Sequence, residues 1–508
     1  MRNAFRSAFI ITVFTFSGQV VLFVAQIITA AMFGASADMD AFLAANTLPQ
    51  YVISVLLGSL GFVFIPLFID YKTNGNEEKA YELGMSLFNN CILFLGIITI
   101  LGILFVKPLL QITAPGLSPK ELETGMKVAI ITWPTIVASG ALSLLSSIYQ
   151  AEKKFGWQAA VPFIGAVVNL IMLWILARWL GVIGLAVATT CGVVVQVFLL
   201  IPILTQRKKY KFSLNWNDGS IHHIVKLVTP LILVAIVTKF TPIVDRYLAS
   251  GLGEGSISHL NYAFKVTTII SVLISAGGAT VIFPKMALDA ATGNLSALRG
   301  TLSMGLRIMF LIIAPVVTIG ISLSLPIIVI LFNRGEFTSA DSVAVASILK
   351  IYLFALMAMC LGNVTGKGFY VLKDTKTLAI FGVIETISYA VYTIFLTKWL
   401  GVIGIAIGYV IYFNISLIWQ LLILNYKTGN YRGRTIIISF AKTILAAVSA
   451  GILSYVVSIF TPVIMLQIIL GSVVGLTTFI AVLYLLGSKE IAVIRNILHM
   501  APPAKAAG

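Results

Sequence analysis

Long, continuously apolar stretches constrain this chain more than any other feature of its sequence. Division of the 508 residues at charged or Gly/Pro-rich breaks gives fourteen such stretches, each of roughly twenty residues or more. They lie near 8–33, 42–69, 84–106, 127–149, 158–177, 182–204, 224–249, 258–284, 302–332, 341–366, 377–397, 402–424, 435–459 and 463–487. The runs do not alternate as barrel strands would, so they predict an all-α polytopic membrane protein with about fourteen transmembrane helices.

The composition excludes most other classes of protein. Charged residues make up 10% of the chain and hydrophobic residues 59%, whereas a soluble domain carries about a quarter charged residues. The three cysteines, Cys91, Cys191 and Cys360, stand singly inside apolar stretches, which argues against disulfides and zinc. The four histidines form no HExxH motif, and no nucleophile is paired with a base. We therefore expect no enzyme activity, no catalytic residues, no metal and no cofactor.

The net charge of +16 predicts topology. On a soluble protein such an excess suggests nucleic acid, but here it lies mostly in the loops. With the N-terminus in the cytoplasm, cytoplasmic segments hold 21 basic and nine acidic residues, and outer segments hold seven and eight. The spans and their edges hold the remaining six basic residues and one acidic residue. This asymmetry follows the positive-inside rule, so we expect both termini in the cytoplasm and no nucleic-acid partner.

Two fragments recur at nearly the same spacing, which indicates an internal duplication. The hexapeptide at 179–184 (WLGVIG) returns at 399–404, 220 residues later. A pattern of Val, Pro and Gly-Asn returns after 218 residues, from Val63, Pro66 and Gly75 to Val281, Pro284 and Gly293. Each copy holds six helices, so both copies share one orientation, as in transporters built from parallel repeats around a cavity. The expected domains are an N-terminal six-helix lobe (1–211), a C-terminal six-helix lobe (212–430), two additional helices (431–488) and a cytoplasmic tail (489–508).

Charges within the spans predict a cationic cavity. The basic residues there are Lys226, Lys239, Lys265, Arg307, Lys350 and Lys442, against one clearly intramembrane acid, Glu385. Lys226 and Arg307 are expected to snorkel to the interface, but Lys239 lies thirteen residues beyond Lys226, or about 20 Å along a helix. A lysine near the bilayer centre costs at least ~2.5 kcal/mol unless it faces water or a partner. We therefore expect Lys239, Lys265 and Lys350 to line the path of an anionic substrate.

Two acidic residues leave an alternative open. Asp245 and Arg246 close the seventh span on the outer side, where a local ion pair is one interpretation. Asp245 and Glu385 together are the other, as a site for a coupling cation, Na⁺ or H⁺. The membrane potential is a further candidate driving force, because each charge that crosses the full field is worth ~2.3 kcal/mol per 100 mV.

Several short motifs carry a family resemblance. They are Phe33-Gly34-Ala35 with Asp40-Ala41-Phe42 and Leu48-Pro49, Ala114-Pro115-Gly116, Asn261-Tyr262-Ala263, Arg334-Gly335-Glu336-Phe337, and Phe369-Tyr370 with Asp374-Thr375-Lys376-Thr377. Together with fourteen helices, twelve of them in two six-helix lobes, they resemble the MurJ/MviN lipid II flippases. That family belongs to the multidrug/oligosaccharidyl-lipid/polysaccharide exporter superfamily, and the resemblance covers essentially the whole chain.

The resemblance implies a flippase that moves an undecaprenyl-pyrophosphate-linked saccharide, most of all lipid II, across the membrane without hydrolysing it. The expected mechanism is alternating access, and the expected partners are this substrate and the membrane lipids. The resemblance also implies that Lys265 binds substrate, as Lys where Arg is usual, and that Asp40, the family's acidic residue near the outer gate, also binds substrate. Where the family has cavity arginines on the first two helices, this chain has Gln19, Ala25 and Ile53. Gln19 is therefore a further substrate-binding candidate. We also expect the protein to be a monomer.

Three other functions remain to be weighed. The missing arginines leave a MurJ-like flippase for an exopolysaccharide or O-antigen unit as the alternative. A drug/cation antiporter of the same superfamily would prefer an acidic cavity, which the excess of intramembrane lysines disfavours. A membrane-embedded polyprenyl-phosphate transferase would need clustered carboxylates or histidines at one membrane face, and the sequence offers none.

Overall fold

The computed structural model describes residues 2–205, 219–429 and 433–488, and every regular element among them is helical. The helices are α1 (Arg2–Phe33), α2 (Ala37–Thr73), α3 (Glu77–Leu104), α4 (Val106–Thr113), α5 (Pro119–Thr132), α6 (Thr135–Ala151), α7 (Phe155–Leu180), α8 (Val182–Leu200), α9 (Pro202–Thr205), α10 (Gly219–Thr238), α11 (Thr241–Ser250), α12 (Ser256–Ala291), α13 (Leu295–Ser322), α14 (Ser324–Phe332), α15 (Ser339–Val371), α16 (Thr375–Leu400), α17 (Val402–Thr428), α18 (Gly433–Phe460) and α19 (Ile464–Leu485).

These helices confirm the expected all-α membrane fold. Thirteen stretches of the described residues are long and apolar enough to cross a membrane. The remaining predicted span, 42–69, falls on α2, a continuous helix of 37 residues. Several predicted spans consist of two consecutive helices, and proline marks where the second begins, as with Pro134 before α6, Pro242 in α11 and Pro326 in α14. Proline lacks an N–H, and the start of a helix is where that group is not needed.

The helices pack into two compact units. The first comprises Met1–Ser258 with the short loop Arg334–Thr338, and the second comprises His259–Asn333 with Ser339–Gly508. The seventh span, α10 and α11, packs on α2 within the first unit. The predicted domain limits at 211 and 430 and the predicted tail over 489–508 fall outside the described residues. That division therefore stays a prediction.

Unusual backbone conformations recur along the chain. Gly181 and Gly401 have φ of 59° and 58°, and Lys153 and Lys373 have φ of 58° and 57°. Both pairs are 220 residues apart, the spacing of the repeated hexapeptide. Residues other than glycine rarely adopt a positive φ, so two lysines with this conformation at this spacing support the inferred duplication.

An ion pair joins α2 to the end of α6 in the first unit. Lys72 Nζ lies 2.5 Å from Glu152 Oε1, and the buried Tyr81 hydroxyl donates to the same oxygen at 2.8 Å. Burial raises the pKa of Glu152, but the hydrogen bonds from Lys72 and Tyr81 outweigh it and hold this pKa below its usual value. The carboxylate is thereby kept charged.

Lys442 has a structural role in the second unit. Its ammonium group donates to the carbonyl of Leu486 at 2.6 Å and to that of Gly487 at 3.3 Å. These carbonyls follow the last turn of α19, where backbone oxygens lack intrahelical partners and the helix dipole favours a positive charge. Lys442 therefore ties α18 to the C-terminus of α19, and no cavity is needed to explain its charge.

Candidate functional site

Lys239 lies at an interruption of the seventh span. Helix α10 ends at Thr238 and α11 begins at Thr241, with Pro242 in its first turn. The N–H of Phe240 bonds to the carbonyl of Val237, so the carbonyl of Ile236 loses its usual helical partner. The hydroxyl of Tyr51 on α2 donates to that carbonyl at 2.5 Å.

Lys239, at this interruption, has an exposed side chain near the middle of a membrane span. The ring of Tyr51 packs edge-on against Phe240 at 6.0 Å between centroids, which fixes the break against α2. Transporters commonly build substrate sites from discontinuous helices, because non-helical backbone is tolerated only beside protein or a cavity. The sequence predicts the depth of Lys239 but not the break, for which Pro242 was the available signal.

The other basic candidates are also exposed, each within its own unit. Lys265 on α12 follows the fully buried Tyr262 and Ala263, and its side chain leaves that core. Lys350 on α15 is exposed beside the buried Leu349. Gln19, on α1 of the first unit, is exposed as well. The role of these three residues in substrate binding stays a prediction.

Asp40 is placed differently, because its side chain is buried in the protein. Its carboxylate accepts from the N–H of Gly255 and the N–H of Ser258, both at 2.8 Å, and from the Ser258 hydroxyl at 2.5 Å. Helix α12 begins at Ser256, so Asp40 on α2 satisfies N–H groups at the start of another helix. The helix dipole and charge-assisted hydrogen bonds favour a carboxylate at that end, but burial is the larger effect and raises the pKa of Asp40 to about 6.

A second carboxylate caps the start of α2 in the same way. Glu254, just before α12, accepts from the N–H of Ala37, the first residue of α2, at 2.9 Å. The starts of α2 and α12 thus cap one another through Asp40 and Glu254. We call this pair of contacts, formed by Ala37, Asp40, Glu254, Gly255 and Ser258, the clasp. It borders an open groove of about 480 Å³ in the first unit.

Two close backbone contacts flank the clasp. The N–H of Gly116 bonds to the Ser250 hydroxyl at 3.1 Å, and the N–H of Glu336 bonds to the Ala31 carbonyl at 2.9 Å. A Cβ on Gly116 would lie 2.1 Å from the Ser250 carbonyl oxygen, and one on Gly335 would lie 2.0 Å from that of Ala31. Ala31 and Ser250 are 219 residues apart, as are Gly116 and Gly335. The glycines of two motifs in the family resemblance thus allow matching contacts at repeat-related positions.

The two acidic candidates for a coupling site lie in different surroundings. Asp245 is half-buried on α11, and the guanidinium of its neighbour Arg246 donates to the carbonyl of Ile257 at 3.1 Å. Glu385 on α16 is 7% exposed, and Ser416 of α17 is hydrogen-bonded to its carboxyl group. Ser416 in turn accepts from Gln420 Nε2 at 3.0 Å, and Gln420 Oε1 accepts from the Thr365 hydroxyl. These three neutral residues were missed because single polar residues inside apolar runs give no pattern.

Comparisons with known proteins agree with the fold and with the family resemblance. The family model described as "Lipid II flippase MurJ" matches residues 29–474. A probable lipid II flippase MurJ of Buchnera aphidicola subsp. Acyrthosiphon pisum is 27% identical over 385 residues, which is 74% of each chain. The lipid II flippase MurJ of Burkholderia cenocepacia is 26% identical over 388 residues, 74% of this chain and 75% of that protein.

Solved structures show the same architecture. A lipid II flippase MurJ in an inward closed conformation has a TM-score of 0.82 and 23% identity, and the match covers 93% of this chain and 97% of that one. An inward-facing multidrug resistance transporter of the MATE family, in the MOP superfamily, has a TM-score of 0.71 and 17% identity. That match covers 82% of this chain and 96% of the transporter. These likenesses concern the fold.

We predict that Asp40→Asn weakens the clasp. An amide offers one acceptor oxygen and turns an NH₂ group toward N–H donors, so the change should lower the free energy of unfolding by roughly 1.5–3 kcal/mol. The measurement is thermal unfolding of the purified protein in detergent. Asp38→Asn, an exposed neighbour in the same turn, is the control and should stay within about 0.5 kcal/mol. Equal effects of the two substitutions would contradict the role given to Asp40.

Proposed function

The chain belongs to the MurJ family of lipid II flippases, and on that premise we propose that it moves lipid II across the membrane by alternating access. It is a multi-pass protein of the bacterial inner membrane and a transporter rather than an enzyme. The observation that carries the proposal is the exposed Lys239 at the interruption of the seventh span. A lone lysine at that depth is costly unless an anion or water meets it.

The pyrophosphate of the substrate is the anion that these lysines suit. In this proposal Lys239 and Lys265 bind the phosphates, Lys350 and Gln19 contribute further contacts, and the polyprenyl tail stays in lipid. Lysine is a flexible point charge with three donors, so it binds phosphate with less geometric selectivity than arginine. That tolerance suits a headgroup that must be bound on one side and released on the other.

Asp40 acts through the protein rather than on the substrate in this account. Its carboxylate accepts three described hydrogen bonds, all from Gly255 and Ser258 at the start of α12. We assign it to the closure of the outer side, where the clasp must loosen when the substrate leaves. Asp40 is thus a positioning residue.

One observation favours a second candidate, a MurJ-like flippase for an exopolysaccharide or O-antigen unit. Ala25 is buried and Ile53 is half-buried. The resemblance implies that the family has cavity arginines at these positions. Together with Gln19, they leave fewer fixed cations for the headgroup. Both candidates share the lipid-linked pyrophosphate and differ in the glycan.

The driving force and the assembly are also part of the proposal. Coupling to Na⁺, to H⁺ or to the membrane potential is compatible with the intramembrane charges, and Asp245 and Glu385 remain the candidates for a cation site. We propose that the protein works as a monomer.

The orientation follows from the charge asymmetry and is directly testable. We predict that both termini are cytoplasmic, which puts Asn76 inside and Lys120 outside. In a variant without native cysteines, Lys120→Cys should react with a membrane-impermeant maleimide in intact cells. Asn76→Cys should react only after the cells are permeabilised. The reverse labelling pattern would overturn the orientation.

Complementation tests the function. A strain depleted of its own lipid II flippase should regain growth with the wild-type chain. Lys239→Ala and Lys265→Ala should each weaken headgroup binding about 10- to 100-fold, since a hydrogen bond to a charged group is worth roughly 1.5–3 kcal/mol. Growth should then fall at equal protein levels, and Lys→Arg at either site should restore it.

Lys226→Ala is the matched control, because this exposed lysine lies about two turns into α10, thirteen residues before Lys239, and snorkels to the interface in our account. It should complement like the wild type. Failure of the wild-type chain to restore growth, together with rescue of a polysaccharide-export defect, would move the assignment to the second candidate.

A further inference from the structure

A buried chain of hydrogen bonds ends at Glu385 in the second unit. The Thr365 hydroxyl of α15 donates to Gln420 Oε1, and Gln420 Nε2 donates to Ser416 Oγ at 3.0 Å. Ser416 is hydrogen-bonded to the Glu385 side chain. Thr365, Gln420 and Glu385 are 0%, 8% and 7% exposed. Three helices, α15, α16 and α17, thus contribute to one internal polar chain.

The donors in this chain run in one direction. Each residue donates a hydrogen bond to the next one, so the hydroxyl hydrogen of Ser416 is available to the negatively charged carboxylate of Glu385. Donors aimed at a carboxylate stabilise its anionic form, and successive hydrogen bonds polarise one another. The arrangement therefore supports Glu385 when it is ionised.

The other carboxyl oxygen favours the opposite state. Glu385 Oε1 is buried and has no hydrogen-bond partner. Glu385 lies ten residues into α16, about 15 Å from its start, so this oxygen is deep in the span. An anion there is expensive without a counter-charge, and a proton on Oε1 removes the charge. The hydrogen bond from Ser416 therefore stabilises the anion, whereas the unpartnered Oε1 favours the protonated form.

The neighbouring helices supply no described positive charge to Glu385. Helix α16 packs against α17 and α15. From α17 the titratable neighbour is Tyr412, which interacts electrostatically with Glu385 and is hydrogen-bonded to Thr386. On α15, the lysine nearest in sequence to Thr365 is Lys367, whose ammonium lies over the Phe283 ring of α12, 5.7 Å from its centroid.

We propose that Glu385, held by Ser416, Gln420 and Thr365, is a proton-binding site that is emptied and refilled during the transport cycle. The proton adds to Oε1, which changes the group from a carboxylate to a neutral acid, and it leaves again to water. Na⁺ fits less well, because the neighbouring oxygens already accept or donate within the chain and one unpartnered oxygen cannot replace a hydration shell. The use of this site for coupling rests on the proposed flippase function, whereas proton binding does not.

Infrared difference spectroscopy of the purified full-length protein at low and high pH tests proton binding directly. Wild type should show a protonated carboxyl band that disappears as pH rises and that Glu385→Gln lacks. Glu82→Gln, which removes an exposed carboxylate on α3, is the control and should keep the band.

Ser416→Ala separates the supporting chain from the carboxyl group. It should keep the band but raise the pH at which the band disappears by roughly one to two units, because a donor to the anion is lost. A band unchanged in Glu385→Gln, or a Glu385 band that persists at every accessible pH, would overturn the proposal.

Proteoliposomes then test coupling. An imposed pH gradient should change the rate at which wild type moves a labelled polyprenyl-pyrophosphate saccharide, and Glu385→Gln should lose this response. A variant that responds like the wild type overturns the coupling even where proton binding holds. If the wild type moves no such substrate, the flippase proposal fails, while the infrared result still decides the proton site.

Discussion

The bilayer interior penalises every charge and every unpaired polar group, and the described features of this protein are solutions to that penalty. The backbone is satisfied within helices, and where a span is interrupted at Lys239, Tyr51 donates to the carbonyl of Ile236 that the break sets free. The ammonium group of Lys442 donates hydrogen bonds to the carbonyls that follow α19. The charges that the fold does not use in this way carry the functional account.

The same rule separates two kinds of acidic residue. Asp40 is buried, yet two hydrogen bonds from Ser258 of α12 and one from Gly255 just before that helix satisfy its carboxylate and make it part of the clasp. Glu385 is about as well buried but keeps one oxygen without a partner. The first arrangement holds two helix starts together, and the second leaves one carboxyl oxygen without a described donor. Burial alone would not distinguish them; the count of donors does.

The sequence predicts the helices well because apolar length is a local property that each span carries by itself. It also predicts Lys239 at depth, since the distance along a helix follows from residue number. It does not reveal the clasp, because Asp40 and Ser258 are 218 residues apart and neither residue signals its partner. Thr365, Gln420 and Ser416 were missed for a related reason, since neutral polar residues in apolar runs become informative only when helices bring them together. The contacts made by Gly116 and Gly335 show why two motifs of the family resemblance contain glycine.

The central claim is that the chain moves an intact lipid-linked pyrophosphate across a bilayer with its intramembrane lysines. The most direct measurement is the transfer of labelled lipid II between the leaflets of proteoliposomes that contain the purified protein, followed by chemical analysis of the lipid. The account predicts that protein-containing vesicles transfer the lipid without covalent change and that Lys239→Ala vesicles transfer it much more slowly. Transfer no faster than in protein-free vesicles, or a chemically altered lipid, would contradict it.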